Sequence, residues 1–302
     1  MGPTAVGKTA LAMQLSQHLP VDIISVDSAM IYRGMDIGTG KPSLAEQAEF
    51  PHQLIDICDP AESYSAAQFR IDATKAMQQS WQQQRIPVLV GGTMLYFKAL
   101  QFGLADLPNS DANVRAALKV ELDTLGLPVL HARLATLDPD AANRLNINDS
   151  QRILRALEIN LLTGKTLAEH YQMQIKHNLD YDLYSFAILP TSRADLHEQI
   201  AKRFDKMLDD NFIAEVEKLY NRGDLHPELP SMRAVGYRQV WSYLEQQIDF
   251  ITMREQAIAA TRQLAKRQHT WLRSWPGIIA IENSKNAALD TLVRSVLHSG
   301  ED

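Results

Sequence analysis

Gly2-Pro3-Thr4-Ala5-Val6-Gly7-Lys8-Thr9 carries the pattern G-x-x-x-x-G-K-[ST] at every fixed position and runs straight into the helical Ala10-Leu11-Ala12-Met13. The glycines let successive backbone N–H groups turn inward onto phosphate oxygens. Lys8 adds a mobile positive charge, and Thr9 offers a hydroxyl to a phosphate-bound magnesium ion. In its commonest use such a loop binds a nucleotide such as ATP. The pattern specifies a diphosphate or triphosphate and leaves the reaction open.

Two further residues stand where chemistry is done in open α/β sheets, beyond the carboxyl ends of buried strands. Asp27 closes Ile23-Ile24-Ser25-Val26, and Thr93 closes Val88-Leu89-Val90-Gly91-Gly92. A carboxylate there serves as a magnesium-holding acid, as a general base on an acceptor, or as a cap for the next segment. Gly91-Gly92 permits close backbone approach to a ligand, which leaves Thr93 to donate to a phosphate oxygen or to cap the following helix.

Basic residues gather in three places. Arg262, Lys266, His269 and Arg273 follow i+3 and i+4 steps and so share one helical face, with Leu264, Trp271 and Leu272 nearer the opposite side. Beside a phosphate loop this reads as a phosphodiester track, and standing alone it reads as a solvated face. Gln151-Arg152-Ile153-Leu154-Arg155 and Arg233-Ala234-Val235-Gly236-Tyr237-Arg238 add guanidinium groups and an aromatic ring suited to unstacked bases. Each equally suits surface ion pairs, such as Arg155 with Glu158 at i, i+3.

The elements that must hold these groups follow from hydrophobic patterning. Short Ile- and Val-rich runs at residues 21–26, 54–57, 86–90, 184–189 and 278–281 read as buried parallel strands, and residues 66–84 as a helix between them. Residues 106–181 show short helical segments broken by proline and glycine turns and no strand. Ser192 to Asp195 forms a capping box that opens a helix running towards Gly223, and Thr252 to Glu255 opens another that reaches about Arg273. A last strand and helix close the chain. The expected architecture is a P-loop NTPase-like parallel α/β core over residues 1–105 and 190–302, interrupted by a helical insertion over 106–189.

At 302 residues the chain is long enough for two such bodies, and 45% apolar with 22% charged residues excludes wholesale disorder. A net charge of −6 argues against holding nucleic acid by bulk charge and leaves room for a local basic face. The single Cys58 excludes a disulfide framework and fits a reducing compartment, so the expected location is cytoplasmic. No apolar run approaches the roughly 20 residues that span a bilayer, and no membrane partner is expected. A phosphate loop normally follows a buried strand, but here only Met1 precedes it. A sheet lacking that interior strand would expose two edges, so the natural chain is expected to begin earlier.

With these residues in view, the chain resembles the tRNA dimethylallyltransferase family, bacterial enzymes that prenylate the adenosine just 3′ of the anticodon. The resemblance covers nearly the full length in ordered blocks. They are the phosphate loop, Asp27-Ser28-Ala29-Met30-Ile31-Tyr32, Asp36-Ile37-Gly38-Thr39-Gly40-Lys41-Pro42, Gly91-Gly92-Thr93-Met94-Leu95-Tyr96, the 151–158 and 233–238 blocks, and Lys266-Arg267-Gln268-His269-Thr270-Trp271-Leu272-Arg273. It implies that residues 2–9 hold the diphosphate of dimethylallyl diphosphate in place of ATP, with magnesium on Thr9. It implies that Asp27 is the base on the exocyclic amine of adenosine and that Thr93 hydrogen-bonds the bridging oxygen. Arg115 matches a further family position, implying a diphosphate or tRNA contact. The tRNA anticodon stem-loop would lie on Asp27, Ser28, Ala29 and Met30 and on the 151–155, 233–238 and 266–273 blocks, and the enzyme is expected to act as a monomer. Two readings compete: a small-molecule P-loop kinase, which would use ATP, and a nucleotide-switched RNA-binding module, which would leave RNA covalently unchanged.

Overall fold

The computed structural model of the chain describes residues 1–173, 181–282 and 289–294. In chain order the first elements are α1 (Lys8–Ser16), β1 (Val21–Val26), α2 (Leu44–Glu49), β2 (His52–Gln53), α3 (Ala66–Gln82), β3 (Ile86–Gly91) and α4 (Met94–Phe102). Then come α5 (Ala112–Leu125), α6 (Leu127–Leu137), α7 (Pro139–Arg144), α8 (Ser150–Thr163) and α9 (Leu167–Gln172). The chain continues with β4 (Ser185–Leu189), α10 (Arg193–Asp209), α11 (Phe212–Tyr220), α12 (Tyr237–Leu244), α13 (Phe250–Arg273) and β5 (Ile278–Glu282).

These elements fall into two compact units. One comprises Met1–Leu100 with Asp180–Asp302, the other Gln101–Leu179. The strand at the end of the expected insertion belongs to the first unit, because β4 pairs in parallel with β5 from Ser185↔Ile278 to Leu189↔Glu282. An Ile- and Ala-rich strand satisfies its backbone only beside another strand, and the helical unit offers none among the described residues.

In the first unit β1 is central to a parallel sheet of order β2-β1-β3. Its register with β3 ends at Val26↔Gly91, where a Cβ on Gly91 would lie 1.9 Å from the Val26 carbonyl oxygen. Only glycine lets the two strand ends close there, and Asp27 and Thr93 follow directly. The Met1 amine donates to Phe186 O at 2.7 Å and its carbonyl accepts from Ile188 N at 3.0 Å, so the residue ahead of the phosphate loop lies along β4. Ile24, Val26, Phe69, Met77, Phe97 and Ala187 form one apolar cluster, and Phe204, Phe212, Val216, Val240 and Trp241 belong to another.

Three expectations about elements are corrected. Residues 54–57 form a turn with Leu54 at φ 62° and Asp56 at φ 57°, left-handed values that an extended strand cannot contain, and the β1 partner is His52–Gln53. The helix opened by Ser192 breaks at Asn211, φ 70°, and restarts as α11. Thr252 does not cap α13; the Asp249 side chain accepts from Thr252 N at 2.7 Å and starts the helix earlier. The closing helix is seen over residues 289–294, and the rest of that stretch lies outside the described residues, as do residues 174–180 of the expected insertion.

The second unit is helical and has its own core of Leu118, Leu130, Leu134, Ile153, Ala156 and Leu157. Glu158 is buried beside it. Its carboxylate accepts from Ser110 Oγ at 2.6 Å, Asp111 N at 2.9 Å and Arg155 Nη1 at 2.7 Å, and these partners hold it below the usual range against the opposing effect of burial.

Candidate active site

The phosphate loop bends through two left-handed residues, Ala5 at φ 66° and Gly7 at φ 82°. Gly7 is the N-cap of α1 and supplies no side-chain partner, so the first amides of the helix remain open for an anion. Thr4, Ala5, Gly7, Lys8 and Thr9 line a pocket of about 410 Å³, whereas Gly2 and Pro3 are buried beneath it and Val6 packs into the core. The pocket wall continues through Asp27, Ala29 and Met30, then Gly38 to Pro42, Gly91-Gly92, and Arg203, Tyr237, Leu264 and Gln268.

Lys8, Asp27 and Arg203 face that space together with Lys41, Glu46, His52 and Tyr237. Lys8 Nζ donates to Pro3 O at 2.7 Å, and its pKa is lowered to about 8, chiefly by burial, with Asp27 opposing the shift and Arg203 adding to it. Arg203 is half-buried; burial lowers its pKa too, and Asp27 counters. Asp27 accepts through Oδ1 from Ala29 N at 2.8 Å and Met30 N at 3.3 Å, while Oδ2 has no hydrogen-bond partner among the described residues. The capping role and a free basic oxygen are therefore both present in one carboxylate. Thr93 does not cap α4 with its side chain; Oγ1 accepts from Ser28 N at 3.0 Å and lies 3.2 Å from Ser28 Oγ, tying the end of β3 to the segment after β1. Thr93 stands beside the pocket and is not part of its wall.

The expected RNA-contacting residues divide by exposure. Lys266, Arg267, Thr270, Trp271 and Arg273 are exposed along α13, and Lys98 Nζ lies 5.7 Å from the Trp271 ring centroid. His269 is half-buried, and Arg233 and Arg238 are exposed. Other members of these blocks turn inward. Gln268 and Leu272 are buried, as are Gly236 and Tyr237, and in the second unit Ile153 is fully buried with Leu154 packed against the same core. Apart from Gly236, which precedes α12, their side chains fall on the inward face of helices whose period alternates core and solvent, so contiguous blocks of sequence are not contiguous surfaces. Ala234, Val235 and Tyr237 line the pocket. In the second unit Arg152 pairs with Asp149, Arg155 with Glu158 and Pro108 O, and Arg115 Nε lies 3.8 Å from Glu158.

Sequence reasoning placed Gln268 on the RNA track and gave Arg203 no role. Gln268 accepts from Thr4 N at 2.9 Å and donates to Gly92 O at 2.9 Å, stitching α13 to the phosphate loop and to the end of β3. Arg203 sits within the apolar stripe Leu196, Ile200, Phe204 of α10, and a cation adjoining a buried stripe was the available signal. Among the described residues no group of His, Cys, Asp or Glu gathers into a metal site. The donor set instead suits magnesium carried on a phosphate, with the Thr9 hydroxyl as protein ligand, since that ion is commonly held by one or two protein groups plus substrate oxygens.

Comparison with known proteins agrees with this arrangement. A family model described as IPP transferase matches residues 30–275, and one described as isopentenyl transferase matches residues 1–57. The chain is 55% identical over 301 residues to a tRNA dimethylallyltransferase of Thioalkalivibrio sulfidiphilus, covering 99% of this chain and 94% of that one. The full-length tRNA isopentenylpyrophosphate transferase of Bacillus halodurans superposes with TM-score 0.71 at 34% identity, over 98% of this chain and 94% of that one. A eukaryotic dimethylallyltransferase solved acting on tRNA gives TM-score 0.75 at 25% identity, over 99% of this chain and 77% of the other. These matches favour neither the kinase nor the RNA-switch reading. Matched in family model, sequence and P-loop NTPase-like fold along almost its whole length, the chain belongs to the tRNA dimethylallyltransferase family of prenyl-transferring, tRNA-modifying enzymes.

Proposed function

We propose that the pocket holds dimethylallyl diphosphate with its diphosphate on residues 2–9, and that Asp27 is the base which readies the exocyclic amine of the adenosine 3′-adjacent to the anticodon. The observation that carries this is the half-buried Asp27, with one oxygen spent on its turn and the other unpartnered, lining the same pocket as Lys8 and Arg203. The amine lone pair is delocalised into the ring, so a carboxylate that accepts its proton aids attack on the allylic carbon. The new N–C bond forms as the C–O bond to diphosphate breaks, and the proton goes to Asp27. Negative charge gathers on the departing diphosphate, where the α1 amides, Lys8 and Arg203 stabilise it.

Thr9 would hold magnesium against that diphosphate, and when bound the ion supplies further neutralisation of the leaving group. Thr93, tied to Ser28, is the donor proposed for the oxygen bridging diphosphate to the allyl group. The target base must leave its stack, at a cost of about a few kcal/mol that is lower in a loop than in a duplex. Lys266, Arg267 and Arg273, exposed and without ion-pair partners among the described residues, support α13 as a phosphate track for the anticodon stem-loop. Action as a monomer is part of this proposal. No described helix is long and apolar enough to cross a membrane, and a tRNA substrate supports a cytoplasmic setting.

The test combines the chain with unmodified tRNA, dimethylallyl diphosphate and magnesium, and reads the tRNA by mass spectrometry. The expected product carries one dimethylallyl group on that adenosine. Asp27→Ala should abolish most turnover while keeping tRNA affinity, and unchanged turnover would remove Asp27 from the chemistry.

A further inference from the structure

The segment 36–41, whose residues 38–41 line the pocket, has no task in the mechanism above. One carboxylate, Glu215 on α11, accepts the backbone N–H groups of Asp36 at 3.0 Å, Ile37 at 2.7 Å and Gly38 at 3.1 Å, and the Tyr237 hydroxyl donates to it as well. Successive amides turned inward in this way make an anion-binding concavity, and the protein fills it with its own side chain. Gly38 is pressed against the same anchor: a Cβ there would lie 2.1 Å from the Phe212 ring and 2.6 Å from the Tyr237 ring. Two residues on, the wall meets Arg203. Thr39 O accepts from Arg203 Nη2 at 3.1 Å, and a Cβ on Gly40 would stand 2.0 Å from that same nitrogen. Lys41 closes the segment by donating to Tyr32 O at 2.9 Å, Asp36 at 2.5 Å and Asp56 at 2.6 Å.

We propose that Glu215 and the Gly38-Thr39-Gly40 segment are the positioning device for Arg203, aiming its guanidinium at the leaving diphosphate. Thr39 O is the one hydrogen-bond acceptor that Arg203 has among the described residues. The remaining N–H groups of a five-donor fork are thus left for a ligand while its direction is fixed. Gly40 is the aperture: it gives the guanidinium a seat that any side chain would occupy. Glu215 is the anchor, since without it the amides of residues 36–38 lose their acceptors and the Thr39 carbonyl loses its place. The proposal rests on the reading of Arg203 as a diphosphate ligand, and the experiment separates the two.

Inorganic diphosphate affinity by calorimetry and KM for dimethylallyl diphosphate are measured for Arg203→Ala, Gly40→Ala, Glu215→Gln and each of the latter two combined with Arg203→Ala, with melting temperature as the folding control. Gly40→Ala places a side chain at φ 66°, a strained left-handed backbone, but meets only the tip of a flexible side chain, so it is expected to remain folded with a lowered melting temperature. Arg203→Ala should weaken diphosphate binding about tenfold, as removal of a charge-assisted hydrogen bond does. Gly40→Ala and Glu215→Gln should each raise KM by about fivefold in the wild-type background and leave it unchanged once Arg203 is absent, the signature of action through one residue. Equal effects in both backgrounds, or wild-type KM in both variants while Arg203→Ala is impaired, would overturn the positioning role. Wild-type diphosphate affinity in Arg203→Ala would overturn the ligand reading, and the device with it.

Discussion

Lys8 makes the site's sensitivity to pH a question about one ammonium group. Its pKa in the folded protein, lowered by burial to about 8, lies below its ordinary 10.5. The cation that draws diphosphate is therefore present below about 8 and lost as pH rises through that value. We expect kcat/KM for dimethylallyl diphosphate, which reports the free enzyme, to fall above pH 8, and Lys8→Arg to carry the plateau to higher pH because guanidinium stays charged. Fold stability moves the other way: between about 8 and 10.5 the unfolded chain binds the extra proton, so this group's contribution rises with pH in that window. A denaturation series on the free protein checks that sign. Lys8 and Asp27 were legible in the sequence because motif spacing and strand ends locate them without tertiary knowledge. Arg203 was not, since its place depends on the carbonyl of Thr39, 164 positions away, and on the room that Gly40 leaves beside it.

At the scale of elements α13 has two faces with separate duties. Gln268 on the inner face bonds both Thr4 N and Gly92 O, so Gln268→Ala leaves two backbone groups unpaired. A decrease of about 2 kcal/mol is expected in urea denaturation, together with weaker diphosphate binding. On the outer face, removing the charge of Lys266 or Arg267 should lower the slope of log tRNA affinity against log salt by about one for each phosphate no longer neutralised. A slope equal to wild type would take that residue off the track. The helix itself was readable from its apolar period, but its start was not, because Asp249 and Thr252 are both good caps and only the folded chain shows which one accepts the amide. The turn at residues 54–57 escaped for a related reason: Leu54 and Ile57 look strand-like, and the left-handed backbone at Leu54 and Asp56 has no glycine to announce it.

For the molecule as a whole, two compact units mean two stabilities. Leu134, fully buried in the helical unit, should cost about 3 kcal/mol when cut to alanine. The resulting early transition by circular dichroism should leave inorganic diphosphate affinity at the wild-type value, because every pocket residue belongs to the other unit. That the α/β core is interrupted was visible in the change of periodicity after residue 105, whereas the far boundary was not, because β4 can be assigned only through its pairing with β5. The same interruption governs how the enzyme comes into being. Thr4 is made 264 residues before its partner Gln268. During synthesis the phosphate loop must wait, unsupported, while the helical unit emerges and folds ahead of it. A polypeptide released early on the ribosome carries the complete loop motif yet lacks the glutamine that braces it, so unfinished chains are not expected to compete for tRNA or consume prenyl donor.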